Sequence, residues 1–310
     1  MPLSEPFIGE EEILAVTRVL KTTQLSLGKR TEEFEKKFAH VIGAKYAVAV
    51  NSGTSALHLS VRSLGLTEGD EVITTPFSFI ASANCLLYEG VRPVFVDINE
   101  ETLGLAPDQV LKAVTNRTKG ILPVHVFGRP NAMSELVQIA QEKNLKIIED
   151  CCESISSKHH EKTVGTFGDA AAFGFYPNKQ LTTGEGGMLL TNSEEIYELS
   201  RSLRNQGRAD DLSWLVHDKL GYNYRMSEIT AAIGLAQLRK LPEILERRRR
   251  LAQQYMEALS GIEGIRLPQE SKQSESALFV FHIRVEAAIR DEVLDGLEGV
   301  ALGVADQAHG

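Results

Sequence analysis

The chain has 310 residues, 43% hydrophobic and 24% charged, the composition of an ordinary globular protein with room for one large domain and a smaller one. Its 33 Lys and Arg against 42 Asp and Glu give a formal net charge of -9, which argues against a nucleic-acid-binding face but not against anionic small molecules held by backbone amides. The three cysteines, Cys85, Cys151 and Cys152, have neither zinc-ligand spacing nor a bridging pattern, so free thiols in a reducing compartment are expected and no metal is.

The first residues, 1–6, carry no basic start and no apolar leader segment, and no apolar run nears the ~18 residues that span a bilayer. A cytoplasmic protein away from the membrane is the expectation. Helical spacing runs over residues 10–21 and again over 31–41, where Phe34, Phe38 and Val41 share a side. Strand-like and helix-like segments then alternate. Strands are expected at 46–50, 71–75, 93–97, 120–124 and 145–149, with helices at 55–64, 78–89, 107–114 and 133–143 between them. Such alternation implies an α/β protein with a mostly parallel sheet covered on both faces, and ligands then sit at the C-terminal ends of the strands. Asn51, Thr75, Asp97 and Asp150 fall at those ends. Further on, apolar runs at 170–175 and 188–190 flank a polar loop, and helices are expected at 194–205, 226–238 and 242–259. The last of these carries the basic run Arg247, Arg248, Arg249 and Arg250, read as a solvated helix face. A strand over 278–285 and a helix over 291–297 close the pattern.

Lys179 lies in the loop between the two apolar runs, among Thr182, Thr183, Gly184, Gly186 and Gly187. Glycines clustered around one lysine point to tight turns packed near a ligand, and a lysine whose stem is held by packing becomes a usable nucleophile. Asp150 ends a strand. A lysine for a Schiff base and an aspartate for a pyridine nitrogen are the two protein groups that pyridoxal phosphate chemistry most needs. Asp150 is equally readable as a helix N-cap. Asn51-Ser52-Gly53-Thr54-Ser55 joins the first strand to a helix and offers a phosphate the free amides of a helix start, or else a plain cap. Phe77 and Phe79 follow the second strand, as core residues or as a stacking partner for a flat ring. Neither a dinucleotide fingerprint nor a P-loop is present.

With these motifs the chain resembles the sugar aminotransferases of the DegT/DnrJ/StrS group, fold-type I pyridoxal phosphate enzymes. The resemblance rests on Ser52-Gly53-Thr54, Thr75-Pro76-Phe77-Ser78-Phe79, Glu149-Asp150, Phe175-Tyr176-Pro177-Asn178-Lys179, Arg204-Asn205-Gln206-Gly207-Arg208 and Gly221-Tyr222-Asn223-Tyr224-Arg225-Met226. It implies a mostly parallel seven-stranded sheet between helices in a large domain over residues 1–240, and a smaller C-terminal α+β domain over 241–310. It implies that Lys179 holds pyridoxal 5'-phosphate and then moves the proton, and that Asp150 pairs with the pyridine nitrogen. Glu153 would lie near the ring hydroxyl, Phe79 would stack on the ring, and Gly53 and Thr54 would hold the phosphate. Asn223 would reach the phosphate of a neighbouring subunit's cofactor in a homodimer with shared sites. The implied reaction carries an amino group from a donor, L-glutamate, to a keto-sugar nucleotide, with sugar contacts from residues 25–29 and from 205–214, where Trp214 stands. An intact Lys179 favours transamination over the sugar dehydration that family members with histidine there perform. Residues 300–310 do not look like the family's ending and read as a truncated or frame-altered end, so the smaller domain is expected to be incomplete. The alternative that follows is a non-catalytic remnant that binds cofactor or a partner.

Overall fold

The computed structural model describes residues 4–209, 216–269 and 273–298. Trp214 and residues 300–310 therefore lie outside the described residues. In chain order the elements are α1 (Glu10–Leu20), α2 (Lys29–Ile42), β1 (Tyr46–Val50), α3 (Gly53–Ser63), β2 (Glu71–Thr74), α4 (Ala81–Leu87) and β3 (Arg92–Phe95). Next come α5 (Pro107–Ala113), β4 (Thr118–Ile121), α6 (Met133–Lys143), β5 (Lys146–Asp150), β6 (Lys158–His159), β7 (Lys162–Thr163), β8 (Ala170–Gly174) and β9 (Gly187–Thr191). The rest are α7 (Glu194–Arg204), α8 (Glu228–Leu259), β10 (Ile265–Arg266), β11 (Ser274–Glu275), β12 (Arg284–Val285) and α9 (Arg290–Glu298). Among the described residues, no helix is long and apolar enough to cross a membrane.

Seven strands form the central sheet in the order β1-β9-β8-β5-β4-β2-β3. β9 runs antiparallel to both β1 and β8, and the remaining pairings are parallel. Six strands therefore deliver their C-terminal ends to one edge, as a mostly parallel sheet should. Alternation along the strands divides the core. Ala47, Ala49, Ala171 and Phe173 face the layer of α2 and α8, with Phe34, Phe38, Leu235 and Leu238. Val48, Val50, Ala172 and Leu189 face the opposite layer with Leu57, Leu59, Leu86 and Ile196. This is the covering on two faces that the near-continuous apolar strands require. A two-stranded sheet, β10-β12, and a three-stranded one, β11-β6-β7, lie outside the main sheet.

Two expectations needed correction. The helices expected at 226–238 and 242–259 are one helix of 32 residues, with Pro242 inside it. A proline in a helix interior costs ~3 kcal/mol by removing a hydrogen bond and crowding the preceding turn. Here Leu235, Leu238, Leu241 and Leu245 are buried on both sides of Pro242, and that packing outweighs the local preference. A boundary between residues 240 and 241 thus falls within α8. The strand expected over 278–285 is reduced to Arg284–Val285, because Leu278 has φ +50° and turns the chain away from extended geometry.

One carboxylate ties α8 to the start of the chain. Glu228, in the first turn of α8, accepts from the amides of Gly28, Arg30 and Thr31 and from the Thr31 hydroxyl. Burial opposes its charge, but the bonds from Thr31, Arg30 and Gly28 outweigh it and hold the carboxyl below its usual range. Glu228 therefore caps α2 from another helix, a task no residue before α2 performs with its side chain.

Candidate active site

Several of the site residues expected from sequence lie along one sheet edge. β8 ends at Gly174, and the loop to β9 carries Lys179. That loop is closed by its own backbone: Phe175 N–H donates to Gly186 O at 2.9 Å, Thr183 N–H to Phe175 O at 2.9 Å, and Lys179 N–H to Tyr176 O at 2.9 Å. Gly184 takes φ +82°, a conformation that side chains resist. Phe175 and Leu181 are buried beneath it. The Lys179 side chain is 15% exposed, and its Nζ lies 3.3 Å from Glu153 Oε1. Its other neighbour is the Phe279 ring, with Nζ 4.3 Å from the centroid. Glu153 is itself held, since its Oε2 accepts from Phe127 N–H at 2.8 Å.

Asp150 closes β5 and is 6% exposed. Its Oδ2 accepts from Ser82 Oγ at 2.7 Å and its Oδ1 from Cys152 N–H at 3.1 Å. These two donors aim the carboxylate in place without neutralising it. Cys152 lies in the field of both Asp150 and Lys179: burial and the Asp150 carboxylate push its thiol well above the usual range, and Lys179 pulls the other way. Glu153, which Lys179 reaches, follows directly on Cys152, whose amide holds Asp150, and this brings the lysine and the aspartate to the same end of the sheet.

The third part is the start of α3. Ser52 is the N-cap, its Oγ accepting from Ser55 N–H at 3.1 Å, and Gly53 rather than Thr54 is the first helical residue. The amides of Gly53 and Thr54 have no acceptor among the described residues. A Cβ on Gly53 would lie 2.9 Å from Cys152 Sγ and 3.1 Å from Gly174 Cα, so glycine is what lets this turn approach β8. Free amides at a helix start, a carboxylate and a lysine along one sheet edge are a donor set that fits pyridoxal phosphate: an anion site, a partner for the ring nitrogen and an amine for the aldehyde.

The other two expected residues, Phe79 and Asn223, are solvent-facing. Phe79 lies at the turn before α4 and is 77% exposed. Asn223 is also exposed. Its carbonyl accepts from Asn51 Nδ2 at 3.4 Å, which lays residues 222–224 beside the α3 turn. Tyr222 and Tyr224 stack on each other at 4.9 Å.

The structure adds residues that sequence reading did not select. Ser82 had no signal beyond its place in a serine-containing helix start. Phe279 sat in an apolar run that reads as a strand. Glu149 and His125 form a buried pair at 3.2 Å behind Asp150, and His125 N–H donates to the Asp150 carbonyl at 3.0 Å. The ligand atoms of His125, Glu149 and Cys151 converge, but Glu149 already accepts from the amides of Gly165, Phe167 and Gly168 as well as facing His125, which describes a closed hydrogen-bond network.

His282 packs on Phe127 at 5.1 Å, and burial, with the charges of Arg129 and Arg284, pushes it down to about 4 from an ordinary 6.5. The unfolded chain binds the extra proton across that window, so folding stability falls as pH drops from 6.5 towards 4. His282→Gln should therefore show a smaller fall in melting temperature than the parent between neutral pH and about pH 4.5. An equal fall in both proteins would refute this assignment.

The fold just described recurs in known proteins. GDP-perosamine synthase of Escherichia coli O157:H7 is 38% identical over 308 residues, covering 99% of this chain and 82% of that protein. The crystal structure of S. venezuelae DesV in complex with a ketimine intermediate superposes with a TM-score of 0.89 at 36% identity, covering 94% of this chain and 77% of that one. Spr1654 of Streptococcus pneumoniae, solved in its PLP form, gives a TM-score of 0.92 at 28% identity, covering 97% and 82%. The model of the DegT/DnrJ/EryC1/StrS aminotransferases matches residues 6–309, and with that extent of agreement the chain belongs to this family.

Proposed function

We propose that this protein is a pyridoxal phosphate-dependent aminotransferase that converts a nucleotide-linked keto-sugar to an amino sugar, with an amino acid, L-glutamate by family expectation, as donor. The observation that carries the reading is Lys179, held between Glu153 and Phe279 in the same site as Asp150. The relative named as a GDP-perosamine synthase supports a sugar nucleotide as acceptor, and the relative solved in its PLP form supports the cofactor.

When bound, pyridoxal phosphate supplies the electron sink for charge that develops at the donor's α-carbon. The protein's residues supply the rest. Lys179 anchors the cofactor and, once free, carries the proton to and from the reacting carbon. Asp150, aimed by Ser82 and the Cys152 amide, would pair with the ring nitrogen and keep it protonated. Glu153 stands beside Lys179, where it receives the amine during the half of the cycle in which that amine is unbound. The amides of Gly53 and Thr54 would hold the phosphate. Phe79, exposed at the turn before α4, would stack on the ring. Asn223 serves the site of a second copy in a homodimer, and its exposure beside Asn51 supports that role. The proposed cofactor residues all lie within 1–240, ahead of the partial smaller domain expected over 241–310, and the enzyme is placed in the cytoplasm.

The decisive experiment supplies glutamate alone to cofactor-loaded protein. The visible band should disappear while 2-oxoglutarate appears in equal amount. A screen of keto-sugar nucleotides, read by product mass, then identifies the acceptor. Loaded protein that makes no 2-oxo acid from any amino acid donor overturns the reading.

A further inference from the structure

The basic run of α8 does not behave as one solvated face. Arg247 reaches Glu243 and Arg249 reaches Glu246 and Glu275, all exposed pairs. Arg248 turns inward and is half-buried. Its Nη1 donates to Phe279 O at 2.8 Å and to Leu278 O at 3.3 Å. Burial draws this guanidinium below its ordinary range, a cost that a solvated arginine avoids.

The two carbonyls it holds belong to a strap with little support of its own. Ser276 Oγ and Ala277 N–H both donate to Gly128 O, at 3.0 and 3.1 Å, and Phe279 N–H donates to Phe127 O at 3.2 Å. Between these bonds Leu278 takes φ +50° and Gly128 φ +83°. A Cβ on Gly128 would meet Glu153 O, Leu278 N and Phe279 N at 3.0 to 3.1 Å, so the strap lies directly on the backbone that carries Glu153. The amides are used to fasten the strap to residues 127 and 128, and Arg248 fastens its carbonyl side to α8. What the strap presents to the site is Phe279, 9% exposed, with its ring 4.3 Å from Lys179 Nζ.

We propose that Arg248 is a positioning residue: by clamping the strap at 276–279 it keeps the Phe279 ring as a wall against Lys179, shielding the bond between Lys179 and the cofactor from small solutes. This rests on Lys179 as the cofactor lysine. The clamp acts at a distance from the chemistry, from a helix that also packs against α1 and α2, so its loss should open one side of the site and leave the fold in place.

The test follows the rate at which hydroxylamine strips the cofactor from loaded protein, read as loss of the visible band. Arg248→Ala should speed stripping roughly tenfold, the change expected when a hydrogen-bonded local structure loses a charged donor. Phe279→Ala should do the same or more, and the double variant should be no faster than Phe279→Ala alone, because the clamp has nothing left to position. Arg248→Lys, which keeps a donor, should fall between Arg248→Ala and the parent. If Arg248→Ala does not fold by circular dichroism, Arg248→Gln carries the same comparison. A stripping rate unchanged by loss of Arg248, or effects of the two substitutions that multiply, overturns the clamp. A parent protein whose visible band survives in Lys179→Ala overturns the assignment of Lys179 instead, so the two failures are told apart.

Discussion

Replacing Lys179 with alanine will give a folded protein that shows no visible band with pyridoxal phosphate and whose amino transfer is lower by about 10⁴-fold, the scale of losing a positioned proton carrier. The fold survives because the loop is closed by backbone bonds that do not use the side chain, and because Phe175 and Leu181 anchor it from below. Lys179→Arg separates the covalent role from the electrostatic one. It retains a cation for Glu153, yet its guanidinium does not form the same bond to an aldehyde. Both variants should therefore be inactive. Borohydride treatment of the parent should leave the reduced adduct on the peptide that contains Lys179. An adduct on any other peptide, or a visible band retained in the alanine variant, removes Lys179 from its role.

Asp150→Asn is the second large effect, a loss of roughly 10² to 10³-fold in rate, as for removal of one preorganised electrostatic group. Asparagine fills the same space and accepts a hydrogen bond from Ser82 or Cys152, so β5 and the start of α4 stay in register. What it lacks is the charge that stabilises a protonated ring nitrogen. Ser82→Ala, which removes one of the two donors aiming the carboxylate, should cost less than Asp150→Asn in the same steady-state assay. Wild-type turnover in Asp150→Asn would mean that the ring nitrogen finds its partner elsewhere.

How far the site could be read in advance depended on how local each part is. Asp150 ends a strand whose apolar pattern is plain, and Lys179 sits in a glycine-rich loop between two apolar runs, so both chemistry and placement follow from short stretches. The same locality explains why β1, α6 and β5 were legible: each has its own period and its own ending. Ser82, Phe279 and Arg248 were not legible because their roles come from pairings across 68, 100 and 30 residues of chain, set by packing rather than by any nearby pattern. Phe279 misled in a specific way. An apolar run with alternation reads as a strand, but positive φ at Leu278 converts it into a strap. Pro242 misled for the opposite reason, since a strong local breaker was overruled by leucines buried on both sides of it.

Glu228 carries a consequence for synthesis of the protein. The amides at the start of α2 meet their acceptor 197 to 200 residues further along the chain. A ribosome that has exposed only the first five strands has made α2 but not the anion that completes it. The N-terminal helices therefore reach their final stability only after β9 has completed the central sheet and α8 has begun to emerge.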